Sequence, residues 1–354
     1  MSTNINMMDF PALEFKPDYQ DTLRRYEAFW NGGMMDRPIV RIPVWDPTFN
    51  GPWYKDNYYT RIHDPIDAVV AGIIGNQRSQ IHMGESVPCA HLSFGCDEAA
   101  AFCGGDLFFT ADNHGTCWSK PWVEDWAKTP VALVEDHPLW LRMQALLDAF
   151  ATAAQGKMLF RSLDLHTNID LLLAMRGGEG LCTDLVDCPE RIDAAMEQTM
   201  SVFDRVYRRC ISDYGLPGVT GLWLQCDFAC MIGKQQFRRF ALPYLEREAE
   251  YNQGRVFYHW DGVTALTHTD DLIASKGLRC LSFVPGAGNG DHPDYLDVYE
   301  KCQARGKAVA VWGTPDQCKL MHRRLKPDKT VYDVYGVKTV AEAESLLKWF
   351  KDNT

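Results

Sequence analysis

Phe257-Tyr-His259-Trp-Asp261-Gly262 is the stretch on which the reading of this chain turns. A short apolar and aromatic run of this kind marks a buried strand. Strand side chains alternate between two faces, so His259 and Asp261 leave the same one. An imidazole and a carboxylate are thereby aimed together beyond the C-terminal end of the strand. Parallel α/β proteins place their chemistry at that end. The plainer alternative is a buried pair that satisfies its own hydrogen bonds.

Working outward, similar short runs recur on both sides. Lys157–Leu163, Gly221–Cys226, Arg255–His259, Arg279–Val284 and Lys307–Trp312 read as strands, with Thr330–Val334 a weaker sixth. Between them lie amphipathic stretches. The clearest follows Pro189, a residue suited to a first helical turn. Its apolar positions are Ile192, Met196, Met200, Phe203, Val206 and Cys210, at spacings of three and four. Further helices are expected around Lys234–Tyr251, Tyr295–Arg305 and Val340–Phe350. Strand–helix alternation predicts a parallel sheet covered by helices. Pro38–Val44 and Val87–Phe94 bring the expected strands to about eight, the count of a (β/α)₈ TIM barrel, which suits a chain of 354 residues. Residues 95–135, rich in Gly, Cys and Trp, read as an elaborated loop after strand 2. With no linker or composition shift, residues 1–354 are expected to form a single domain, with residues 1–37 as an N-terminal helical extension. Gly286-Ala-Gly288-Asn-Gly290 lacks the spacing of a dinucleotide-binding loop.

A net charge of −11 and the lack of a long basic cluster exclude a nucleic-acid partner or an anionic membrane surface. No segment reaches the roughly 18 apolar residues of a membrane span, and no leader peptide is read at the N-terminus. The 12 cysteines are scattered without a C-x-x-C pair, the pattern of reduced buried thiols in a cytoplasmic protein.

In a barrel, functional groups belong at the strand C-terminal ends. Those ends carry Trp45-Asp46, Asp164-Leu-His166-Thr-Asn168, Gln225-Cys-Asp227, His259-Trp-Asp261, the loop with Asn289, Trp312, and Tyr332-Asp333. The strand starts carry only Lys157, Arg255, Arg279 and Lys307. His259, Asp261, Asp227, Asp164 and His166 are therefore the candidate catalytic residues. Arg78, Gln225, Asn289, Trp118, Trp312 and Tyr332 are the candidate substrate-binding ones. Carboxylates and imidazoles gathered at one mouth allow two chemistries. One is general acid–base catalysis with mutually tuned pKa values. The other is binding of a divalent metal, with His259 and Asp261 as ligands and zinc the ion that such donors suit.

These residues give the chain a resemblance to the uroporphyrinogen decarboxylase superfamily, which also contains corrinoid-linked methyltransferases. The likeness runs from about residue 85 to the end. It includes Asp170-Leu-Leu-Leu, Arg176-Gly177, Asp187-Cys-Pro189-Glu190, Gln225-Cys-Asp227, Pro243-Tyr244-Leu245, His259-x-Asp-Gly262 and Thr339-Val-Ala-Glu342. The resemblance implies a (β/α)₈ barrel. True decarboxylases of the family carry an arginine-rich segment near the N-terminus that grips porphyrinogen carboxylates, whereas Pro43-Val-Trp45-Asp46-Pro-Thr-Phe has no such cluster. Methyltransferases of the family hold zinc through His-x-Cys and a later Cys. His259 matches that histidine, and Asp261 stands in the place of the first cysteine. An O/N donor set is harder than a thiolate set and is a better Lewis acid toward water, carbonyl or hydroxyl groups than a thiol-methylation site.

The resulting expectation is an enzyme acting on a small organic substrate by methyl transfer or demethylation. A corrinoid protein is its exchange partner and Zn2+ its metal, with a homodimer as the assembly. A decarboxylase or other lyase using metal-free acid–base residues is the alternative, followed by a non-catalytic ligand-binding barrel.

Overall fold

The computed structural model describes residues 10–110, 113–161, 163–214 and 221–354. All eight expected strands are present within it. In chain order the strands are β1 (Ile39–Trp45), β2 (Gln80–Gly84), β3 (Cys89–Ala90), β4 (Leu107–Thr110), β5 (Asn113–Ser119), β6 (Leu159–Phe160), β7 (Leu222–Gln225), β8 (Val256–Asp261), β9 (Cys280–Val284), β10 (Ala308–Gly313) and β11 (Thr330–Val334). The principal sheet runs β2-β1-β11-β10-β9-β8-β7, and every pairing in it is parallel except β1 with β2. β3 and β6 form a separate parallel pair, and β4 and β5 an antiparallel hairpin.

The fold is thus α/β with a parallel sheet, and the expected closed eight-stranded ladder is corrected in two places. The stretch holding His82, which was not among the expected strands, is strand β2. It occupies the edge of β1 that closure would offer to β3, pairing Trp45 with Gln80 and Arg41 with Gly84. Among the described residues β6 and β7 share no backbone pairing, and the Arg161 guanidinium lies 5.2 Å from the Trp223 ring centroid. The region after β3, expected as one long loop, contains a short helix (Glu98–Phe102) and the β4–β5 hairpin.

Apolar periodicity accounts for the helical coat. The helix Pro189–Cys210 starts with Pro189 in its first turn and buries all six residues of its predicted stripe. Burial of such side chains contributes roughly 1.5–3 kcal/mol each, and this outer layer between sheet and helices is the main core. A second, smaller core fills the end of the sheet where the strands start. There Tyr26, Phe29 and Trp30 of the N-terminal helix Tyr19–Trp30 pack on Ile39, Phe257, Cys280, Ala310 and Val331. The basic residues at the strand starts fasten this plug. Arg255 bonds Glu27 through both terminal nitrogens at 2.8 Å, and Arg279 donates to the carbonyl of Trp30. One end of the sheet is therefore closed by the N-terminal helix, and the opposite end carries the polar residues. Among the described residues, no helix is long and apolar enough to cross a membrane. All 12 cysteines are free thiols, as expected.

Candidate functional site

The site is assembled from three strand ends. β8 contributes His259 and Asp261 on its inward face, both partly accessible, while the alternating Tyr258 and Trp260 are buried toward the helices. The chain leaves β8 through Gly262, whose φ of 81° is in the left-handed region that a glycine adopts without strain. β7 contributes Gln225, paired in register with His259, and runs into a 3₁₀ turn starting at Asp227. The segment after β6 contributes Asp164 and His166, and then the helix Ile169–Arg176. Asn168 caps that helix, its side-chain oxygen accepting from the Asp170 N–H at 3.3 Å.

Asp170 connects the pieces. One of its carboxylate oxygens accepts the backbone N–H of Asp227 at 2.8 Å and lies 2.8 Å from His166 Nδ1. The other accepts the N–H of Phe228 at 2.9 Å. A carboxylate on one helix thus caps the turn that carries Asp227, and this contact sets where Asp227 stands. His166 Nε2 lies 3.5 Å from Asp164, which also accepts a hydrogen bond from the Gln225 amide. Behind them Glu248, fully buried on the helix Leu242–Glu250, accepts from Thr167 Oγ1 at 2.9 Å and Asn168 Nδ2 at 3.4 Å.

Electrostatics divide the two imidazoles. Burial alone would discharge His166, but its hydrogen bonds to Asp164 and Asp170 outweigh it and hold the ring charged, well above its ordinary pKa. Burial would also raise Asp164, and the bond to His166 holds it below the usual carboxylate range instead. His259 goes the other way. Burial lowers its pKa against the attraction of Asp261, and the charge on His166 adds to the lowering. Asp227 is pushed up to about 7 by burial and by the neighbouring charge of Asp170. Its Oδ1 is buried with no hydrogen-bond partner among the described residues.

Two overlapping groups of donor atoms result, each spanning no more than 4.8 Å. His166, Asp170 and Asp227 form one, and Asp227, His259 and Asp261 the other. The first is committed internally by the hydrogen bonds already described. In the second, His259 and Asp261 are 3.9 Å apart and partly accessible, and a carboxylate oxygen of Asp227 lies within 4.8 Å of their donor atoms. Three such donors are the number of protein ligands that a catalytic zinc site uses, and Asp227 is the third beside His259 and Asp261. No cysteine belongs to either group.

The structure thus brings together His259, Asp261, Asp227, Asp164, His166 and Gln225. Trp312 shares their inward face, with the His292 ring 3.9 Å away, and remains partly accessible. The remaining candidates lie elsewhere. Tyr332 is on the opposite face of β11, fully buried against His322 and Phe350, because alternation turns Val331 and Asp333 inward in its place. Arg78 lies in an outer groove between the helices Ile66–Gln77 and Pro138–Ala154, beside Glu14 and Phe15. Asn289 bonds back to the carbonyls of Pro285 and Ala287 within its own loop. Trp118 packs on Phe108 across the β4–β5 hairpin.

Asp170 and Glu248 were missed as site residues. Both carried a signal: Asp170 falls four residues after His166 behind a capping Asn, and Glu248 is an acid on the apolar stripe of Tyr244, Leu245 and Ala249. No model of a known protein family matches the chain, and no curated protein matches its sequence. Among solved structures, a methyltransferase from Methanosarcina mazei superposes with a TM-score of 0.60 at 10% identity, covering 94% of this chain and 98% of that one. The likeness is one of fold, carried over nearly the whole of both chains.

Proposed function

We propose that the chain is an enzyme that transfers a methyl group to or from a small organic substrate, with Asp227, His259 and Asp261 as its reactive centre. The observation that carries this is Asp227, which has a carboxylate oxygen within 4.8 Å of donor atoms on His259 and Asp261 and a buried Oδ1 with no hydrogen-bond partner among the described residues. A buried carboxylate oxygen without a partner costs stability, and such a cost is typically kept at functional sites. The fold shared with a methyltransferase supports the reaction class.

The donor set suits a divalent ion such as Zn2+, which would supply Lewis acidity toward a substrate oxygen or nitrogen. The protein's own contribution is positional. Asp170 fixes the turn bearing Asp227, and His166 places a permanent positive charge behind it. Gln225 holds Asp164 against His166. A corrinoid borne by a partner protein is the proposed exchange partner for the methyl group.

Metal analysis of protein purified without chelator should find about one zinc per chain. Methylcobalamin exchange, followed by the cobalamin spectrum, should then occur with methoxylated aromatics or methylamines. Absence of exchange in both directions would remove the methyl-transfer reading. A second reading rests on Asp227 alone: a carboxylic acid titrating at about 7 is suited to proton transfer in a metal-free lyase or decarboxylase. Turnover that survives chelation and disappears in Asp227→Asn would favour it.

A further inference from the structure

A cavity of about 200 Å³ lies beside β6 and β7, which share no backbone pairing among the described residues. It is lined by Arg41, Cys89, Phe160, Arg161, Trp223 and Asp333, among others. Most of the charge there is already compensated. Arg41 lies 3.2 Å from Asp333 and donates to the Tyr26 hydroxyl at 2.7 Å. Glu85 is gripped by Arg37 at 2.6 and 2.8 Å. Arg161 differs. Its guanidinium has no acidic partner among the described residues, lies over the Trp223 ring, and is accessible in the cavity wall. A guanidinium held on an aromatic face and left without a counter-ion is prepared for a planar anion.

The register of β7 and β8 places this cation relative to the reactive centre. Trp223 pairs with Phe257, and Gln225 with His259. The Trp223 level is thus one pleat repeat, about 7 Å, below His259. The described residues lining the cavity include none of His259, Asp261 and Asp227, so a molecule whose anionic end meets Arg161 would hold its body apart from the reactive centre. Phe160 and Cys89 make that body's surroundings apolar. One uncompensated positive charge matches one negative charge on the ligand.

We propose that this cavity is a binding site for a small organic monocarboxylate, its carboxylate held by Arg161 and its apolar body against Phe160 and Cys89.

Calorimetry with 4-methoxybenzoate and its neutral counterpart 4-methoxybenzamide, both in the presence of chelator, tests the anchor without metal or methyl transfer. The acid should bind about tenfold or more tightly than the amide, the difference expected of charge-assisted hydrogen bonds. Arg161→Gln should remove that preference by weakening the acid alone, while His259→Ala should leave acid binding within about twofold. No binding of the acid to the unaltered protein, or equal binding of acid and amide, overturns the proposal, and neither result depends on how the variants fold. An unchanged preference in folded Arg161→Gln overturns it as well. Acid binding of the expected pattern, with no cobalamin exchange, would leave this anchor standing and remove the methyl-transfer reading.

Discussion

Two histidines stand at the same end of the sheet, each beside aspartates and both in reach of Asp227, yet they are built for opposite purposes. His166 is 6% exposed and clamped between Asp164 and Asp170. Its charge is fixed and its partners are committed, Asp164 to Gln225 and Asp170 to the turn that bears Asp227. The His259 side chain is 28% exposed, with its nearest carboxylate at 3.9 Å, and its pKa is lowered. A ring that is neutral, accessible and loosely held can take up a new partner. The lesson is that residue type does not separate scaffold from reactive group here; the number of hydrogen bonds already made does.

The comparison breaks most visibly if Asp170 is removed. Its two oxygens meet His166 and the N–H groups of Asp227 and Phe228, so Asp170→Ala leaves two backbone donors without their acceptor and a buried imidazolium with Asp164 alone. A loss of about 3–5 kcal/mol is expected from breaking a buried ion pair on one side. Urea denaturation measures it directly. A loss below about 1 kcal/mol, the range of ordinary surface substitutions, would show that the His166 group is not structural.

The opposite substitution should separate activity from stability. His259→Ala deletes a ring with no committed hydrogen bond, so unfolding free energy should change by about 1 kcal/mol or less. Zinc retention should be lost, and turnover should fall about a hundredfold or more, as for removal of a metal ligand or general base. A variant as destabilised as Asp170→Ala would instead make His259 a second scaffold histidine.

How much of this was legible in the sequence follows the same division. Strands β7 to β11 could be read because short apolar runs between turns have few other fates, and period two put His259 and Asp261 on one face. The same rule, applied to Val331 and Asp333, would have turned Tyr332 away from the site. Closure of the sheet was not legible. It depends on Gln80–Gly84, a mixed stretch that continues the helical run before it and takes the β1 edge only through tertiary pairing. The aspartates at the strand ends could be found from sequence. Their partition into committed and open groups could not, because it turns on Asp170 reaching across 57 residues to the Asp227 amide.

The smallest expected effect concerns the support behind His166. Burial pushes Glu248 up to about 8, against the hydrogen bonds from Thr167 and Asn168 that favour its charged form. Its folded pKa therefore lies above the ordinary value of 4.5. A carboxyl group of this kind binds its proton more tightly in the folded than in the unfolded chain. Its contribution to stability is complete below the unfolded value and is lost as pH rises through the folded one. Glu248→Gln keeps the shape and the neutral state at every pH. It should match the unaltered protein near pH 5 and exceed its stability by roughly 1–3 kcal/mol near pH 9. Thermal unfolding across that range reads the crossover. Because Glu248 touches the His166 side and not His259, the change should leave zinc retention as it was. A parallel pH dependence in protein and variant would move the alkaline sensitivity to another buried acid, with Glu98, also raised to about 8, the next to substitute.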